Sequence, residues 1–301
     1  MRVAIIGTGD VGWALAAKLA ANKNIKEVLF VGRAIERVNA LIMDICSAYP
    51  EAYDKVRAAT PERLIESDIV ILTSGERMKP GQSAKDVWSS NALITKEILS
   101  TSRLKSSAIL ITLATPVDDI TILAQFLTGL PTNQVFGFGG DLDRNRLEYT
   151  LRDRKIDHSH IELVGEHGGN AIPVYRGEES YEEVARNVRG FLKKVTAQAG
   201  ETRNLSTAIL LASLVDSIIT NSGRTHYLCG YHKKYGIYLT WGFKVGAQGI
   251  SEPNEIELYD KAKIDLEALM DRRRKLSEGI REDVELAELR RLTQKVPALN
   301  T

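Results

Sequence analysis

Several things are scarce in this 301-residue chain, and each scarcity excludes something. Its two cysteines, Cys46 and Cys229, have neither C-x-x-C nor metal-ligand spacing, so no disulfide framework is expected and a reducing compartment suits them. Charge of one sign is also lacking. Forty Lys and Arg against 39 Asp and Glu leave a net +1, which offers no broad field for nucleic acid or an anionic membrane. No uninterrupted apolar run approaches the roughly 20 residues of a membrane span. The opening Met1 to Gly7 goes straight into a strand pattern, without room for a charged leader and cleavable apolar stretch. The expected address is cytoplasmic, and the expected partners are small molecules or other copies of the chain. No His, Cys, Asp and Glu cluster with ligand spacing supports a metal.

What is present is an alternation. Short apolar runs at Val3 to Ile6, Val28 to Val31, Ile69 to Thr73 and Ile109 to Leu113 are separated by helical patterns such as Trp13 to Ala21 and Val87 to Leu99. Continuous apolar strands alternating with helices predict a doubly wound parallel sheet of the Rossmann type, covered on both faces. Gln134 to Gly137 reads as the last strand of that sheet. After about Asp141 the texture changes to a charged helix reaching Lys155, a strand at His160 to Val164, helices at Tyr181 to Gln198 and Thr207 to Asn221, and a long amphipathic helix over Glu255 to Glu282. The tail beyond Leu286 reads as peripheral. The expected organisation is therefore α/β: a dinucleotide-binding domain over 1–141, then an α+β substrate-binding domain over 142–301 with a long C-terminal helix.

Gly7-Thr8-Gly9-Asp10-Val11-Gly12 follows the first strand and opens the first helix. In that context the three glycines serve a tight turn, backbone approach to a pyrophosphate, and close helix–strand packing. An NAD-selective site usually places Asp or Glu about 20 residues further on, at the end of the second strand. Gly32 stands there, followed by Arg33 and, a turn later, Arg37. An acidic repeller of a 2′-phosphate is missing and guanidinium forks are at hand, so NADP(H) is expected over NAD(H). The alternative is that both arginines only face water.

Two further segments, Asp141-Leu142-Asp143-Arg144-Asn145-Arg146 and Gly165-Glu166-His167-Gly168-Gly169, resemble in order and content the L-D-x-x-R and G-E-H-G motifs of the lactate/malate dehydrogenase family. The resemblance runs from the Gly-rich turn to about Thr220. Hydride transfer to a carbonyl needs a proton for the oxygen, and His167 suits that near neutral pH. By the resemblance Asp143 fixes its tautomer and charge, and Arg146 clamps a substrate carboxylate. Taken singly, His167 could be an ordinary loop residue, Asp143 a helix N-cap and Arg146 half of a surface ion pair.

The resemblance also marks departures. Ser74 and Gly75, expected beside the cofactor, open a loop similar to the family's mobile loop, anchored by Lys79-Pro80-Gly81; the family's substrate-polarising Arg is replaced by Ala84. Arg77 or Lys85 is a candidate substitute. Met78 occupies the side-chain specificity position, where an apolar group offers nothing to a second carboxylate and disfavours malate. Thr115 stands where the family commonly has Asn, beside substrate and nicotinamide ribose, and Arg203 falls near the family's pocket-lining Thr. The implied activity is NADPH-dependent reduction of a 2-keto acid with an apolar or unusual side chain, by a homodimer or homotetramer. Reduction of an imine or other carbonyl beside a carboxylate, or a non-catalytic NADP(H) sensor, stays open.

Overall fold

The apolar runs of the first half become parallel strands because helices cover them on both sides. In the computed structural model, which describes residues 1–79, 81–176, 180–200 and 205–294 with side chains to Leu286, these are β1 (Arg2–Ile6), β2 (Glu27–Val31), β3 (Val56–Ala59), β4 (Ile69–Leu72), β5 (Ile109–Thr112) and β6 (Val135–Phe138). Their order is 3-2-1-4-5-6, with all neighbours parallel and in continuous register. Every residue of β4, β5 and β6 is buried, which explains why these runs show no polar alternation. Between them lie α1 (Asp10–Ala20), α2 (Ile35–Ala48), α3 (Trp88–Thr101) and α4 (Val117–Thr128). One face of the sheet carries Leu15 and Leu19 of α1 with Val38 and Ile45 of α2; the other carries Leu99 of α3 with Ile120 and Leu123 of α4. Each such fully buried aliphatic side chain contributes about 1.5–3 kcal/mol of transfer free energy.

Beyond α5 (Gly140–Asp153) the sheet turns antiparallel. Strands β7 (Ile161–Gly165), β8 (Ala171–Tyr175), β9 (Thr225–His232), β10 (Ile237–Gly246) and β11 (Gly249–Pro253) extend it in the order β6-β9-β10-β7-β8, with β11 alongside β10. Helices α6 (Tyr181–Ala199), α7 (Leu205–Ile219) and α8 (Asp260–Gln294) pack around them. The doubly wound α/β expectation holds, and the ladder passes residue 141 unbroken through Gly137–Cys229 and Phe138–Leu228. Two expectations need correction. The last helix continues to Gln294 instead of giving way to a tail beyond Leu286, and five strands, β3 and β8 to β11, fall where no strand was expected. Among the described residues no helix is long and apolar enough to cross a membrane.

Candidate active site at the carboxyl ends of the parallel strands

Gly7, Ser74, Thr115 and Gly139 all follow the carboxyl ends of parallel strands, where ligands of open α/β sheets bind. The turn after β1 distinguishes its glycines by what surrounds them. A Cβ on Gly7, where φ is +122°, would lie 2.6 Å from Ser74 N, and one on Gly12 would lie 2.0 Å from the Gly7 carbonyl oxygen. A Cβ on Gly9 would meet nothing within 4 Å. Internal packing therefore accounts for the first and third glycines, whereas the second keeps open a surface at the N-terminus of α1, which suits a pyrophosphate. The residues fit a dinucleotide.

Around that turn, Arg37 points its Nε and Nη2 at the Thr8 carbonyl oxygen at 3.4 and 3.2 Å, which holds its guanidinium over the glycine-rich loop. Arg33 is exposed beside it. A Cβ on Gly32 would press Thr8 Cγ2 at 2.5 Å and Val38 Cγ2 at 2.9 Å, so the position of the usual acidic residue is sterically tied to the loop. Asp10, at the first turn of α1, forms an ion pair with Arg77. Arg77 is thus engaged with the first turn of α1. Val11 is half-buried within α1.

The loop after β4 runs over the site. Ser74 is half-buried with its hydroxyl against the interior, while Gly75 and Met78 are exposed. Ala84 begins a short 3₁₀ turn in which Ser83 and Asp86 cap each other, and Lys85 is exposed on that turn. Asn91 of α3 donates from Nδ2 to the Thr115 carbonyl at 2.7 Å, joining this loop's helix to the segment entering α4. Thr115 is half-buried, and its bond to Pro116 is cis. Arg203 lies outside the described residues.

Across from the glycines, Gly139 follows β6, and a Cβ there would lie 2.5 Å from Cγ of the His167 ring. The imidazole packs directly on this backbone. Its Nδ1 lies 2.6 Å from Asp143 Oδ2, and the same carboxylate oxygen accepts the Gly168 N–H at 2.7 Å. The other oxygen, Oδ1, accepts from Arg146 Nη1 at 2.7 Å. Asp143 stands in the first turn of α5 and is fully buried, so it organises the His and the Arg and is not an N-cap. Arg146 is 13% exposed and also lies over the Phe191 ring, 5.8 Å from its centroid.

Burial pushes the Asp143 carboxyl up, but His167, Arg146 and the Gly168 amide outweigh it and hold the carboxyl below its ordinary value. Burial likewise pulls the His167 imidazole down, and the Asp143 carboxylate more than reverses this, so His167 is raised above its ordinary value. With 28% of its side chain exposed, the ring can exchange a proton on the side away from Asp143.

Four residues of this site carried no role in the sequence reading. Asp118, at the start of α4, accepts the His167 backbone N–H at 3.0 Å and the Thr240 hydroxyl of β10 at 3.2 Å. Glu166 accepts from Asn170 Nδ2 at 2.6 Å, Gly139 seats the ring, and Arg273 of α8 lies behind the turn. The sequence signals were slight: a Gly pair before Asp141, and one Arg within a basic run of a long helix.

A glycine-rich turn opening a helix on a 3-2-1-4-5-6 sheet, facing a carboxylate-held imidazole, defines the nicotinamide-dinucleotide class of oxidoreductases. Residues 1–137 match the family profile described as lactate/malate dehydrogenase, NAD binding domain. The chain is 27% identical over 278 residues to L-lactate dehydrogenase A of Rhizopus oryzae, covering 86% of this chain and 87% of that protein. It is 26% identical over 319 residues to the malate dehydrogenase of Methanosarcina barkeri, covering 96% and 99%. The solved malate dehydrogenase from Aeropyrum pernix superposes with a TM-score of 0.80 at 25% identity, covering 93% of this chain and 99% of that one. The chain thus carries the NAD-binding domain of the lactate/malate dehydrogenase family and is similar over most of its length to lactate and malate dehydrogenases.

Proposed function

We propose that this protein is a 2-hydroxy acid dehydrogenase that runs as an NADPH-preferring 2-keto acid reductase. The observation that carries the chemistry is a single buried carboxylate, Asp143, bonded to both His167 and Arg146. Residues 1–141 serve the cofactor and 142–301 the substrate. The bound dinucleotide supplies a hydride. Arg146 turns its remaining N–H groups to the substrate carboxylate and so aims the adjacent keto carbon. As the new C–H bond forms at that carbon, the carbonyl electron pair moves to oxygen and takes a proton from the His167 nitrogen not engaged by Asp143; the imidazolium relaxes to neutral imidazole.

Arg33 and Arg37, beside a glycine that supplies no carboxylate, support preference for the 2′-phosphate. Met78 supports an apolar substrate side chain and disfavours malate. The exposed Trp13 of α1 and Ile209 of α7, on packed neighbouring helices, support a homodimer or homotetramer. Two free thiols support a cytoplasmic setting.

The test is NADPH and NADH oxidation across pyruvate, oxaloacetate, branched and aromatic 2-keto acids, with His167→Asn as control. Turnover of an apolar keto acid with NADPH, reduced about 10²- to 10⁴-fold in His167→Asn, is expected. Preference for oxaloacetate, or undiminished turnover in the control, overturns the substrate or the proton-donor assignment respectively.

A further inference from the structure

Among the described residues of α8, one cation is buried. Arg273 has 2% of its side chain exposed, while Arg272 and Arg274 beside it have 56% and 45%. Its Nη1 lies 2.9 Å from Glu166 Oε1 and also bonds Asp119 of α4. The charged or titratable groups facing it are Asp118 and Asp119 from α4, Glu166 from the turn after β7, and Cys229 from β9. Arg272, on its own helix, approaches Glu166 from the solvent side at 3.2 Å.

Two of those carboxylates hold the turn that carries His167. Asp118 accepts the His167 backbone N–H, and Glu166 accepts the Asn170 amide. Burial pushes the Asp118 carboxyl up, and Arg273 is the foremost opposing influence. A buried ion pair is a weak source of stability, since well-packed apolar groups often do as well. Arg273 is also not used as a bidentate fork: among the described residues its Nε and Nη2 find no acceptor. What it supplies is a charge at a place where three carboxylates converge.

We propose that Arg273 is a positioning residue for the acid–base turn: its charge balances Asp118 and Glu166, the acceptors that fix the turn, so the His167 ring stays seated on Asp143 while α8 is docked. This rests on His167 as the proton donor. Deprived of the cation, the three carboxylates take up a proton, an acceptor is weakened and the turn loosens.

Arg273→Met is expected to lower kcat by about 10- to 100-fold with the NADPH Kd unchanged, because the partners of Arg273 lie on α4, the turn after β7 and β9 and not on the glycine-rich loop. Its kcat/KM should gain an acid limb absent from wild type, falling as pH drops and the unbalanced carboxylates take up a proton, while the decline above the imidazole pKa remains. Arg273→Lys keeps the charge and should retain most of the activity. The His167 imidazole signals, assigned by their loss in His167→Asn and followed by ¹⁵N NMR, should shift in the Met variant and not in the Lys variant. A folded Arg273→Met with wild-type kcat, pH profile and His167 signals overturns the proposal, as does an Arg273→Lys variant as impaired as Arg273→Met. If Arg273→Met does not fold, Arg273→Gln, which removes the charge and keeps a polar group, decides: wild-type kcat there also overturns it. The NMR readout needs no turnover, so its failure and the failure of the His167 assignment are separate results.

Discussion

The two sides of the cleft are built by different means. On the cofactor side the shape comes from backbone: Gly7, Gly9 and Gly12 lie within six residues, and Arg37 rests on the Thr8 carbonyl only 29 residues away. On the acid–base side it comes from side chains meeting across the chain, Asp118 to His167 over 49 residues and Arg273 to Asp119 over 154. A backbone turn specified locally tolerates change elsewhere. A set of converging carboxylates depends on every element that brings a member, and so it concentrates the sensitivity of the molecule.

Substitutions on the two sides should therefore fail differently. The largest effect is expected from Asp143→Asn, with kcat reduced by roughly 10³-fold, since an amide can hold the wrong tautomer and cannot stabilise imidazolium. It also moves the pH profile. The proposed keto acid reduction draws its proton from His167, so kcat/KM in wild type should hold below the imidazole pKa and decline above it. Asp143 is what raises that pKa, so the decline in Asp143→Asn should begin at lower pH; an unmoved profile would detach Asp143 from the proton transfer. Next is Gly139→Ala, whose Cβ would displace the imidazole ring: about 10²-fold in kcat with unchanged NADPH affinity. Equal losses in both would blur the division between the two sides. The smallest is on the cofactor side, where Arg33→Ala and Arg37→Ala should each weaken NADPH binding by about tenfold, some 1.4 kcal/mol, and leave NADH and kcat alone. Isothermal titration with both cofactors checks this, and equal weakening for NADH would assign the arginines to the loop's structure instead of to the phosphate. Gly32→Asp is the poorer probe, because its Cβ would push on Thr8.

The same division governs what could be read from the chain. The parallel strands other than β3 were legible because each is built on a short apolar run, whereas β3, Val-Arg-Ala-Ala, is too short and too mixed to stand out; the glycine motif was legible because its spacing and its strand–helix context coincide. β9 and β10 were not: His226, Tyr227 and Tyr231 in one and Lys244 in the other mix polar and aromatic residues, and their pairing with β6 is a long-range event. His167, Asp143 and Arg146 were found through motif resemblance, and they meet at hydrogen-bonding distance. Arg273 could not have been, since four consecutive basic residues, Arg272 to Lys275, look alike until the helix is placed. Arg77 illustrates the opposite limit: the loop sequence offered it to the substrate, whereas the fold turns it to Asp10.

The uninterrupted ladder from β6 into β9 has a mechanical consequence. Gly137 and Phe138 are hydrogen-bonded to Cys229 and Leu228 only a residue before the backbone that seats the His167 ring. The two halves cannot swing apart like jaws on a pin, because the pin would have to unzip a sheet. Near it, Asn91 of α3 grips the Glu76 and Thr115 carbonyls, so the loop after β4 and the segment entering α4 are tied to the same frame. The floor beneath the His167 ring is a fixed plate shared by both halves.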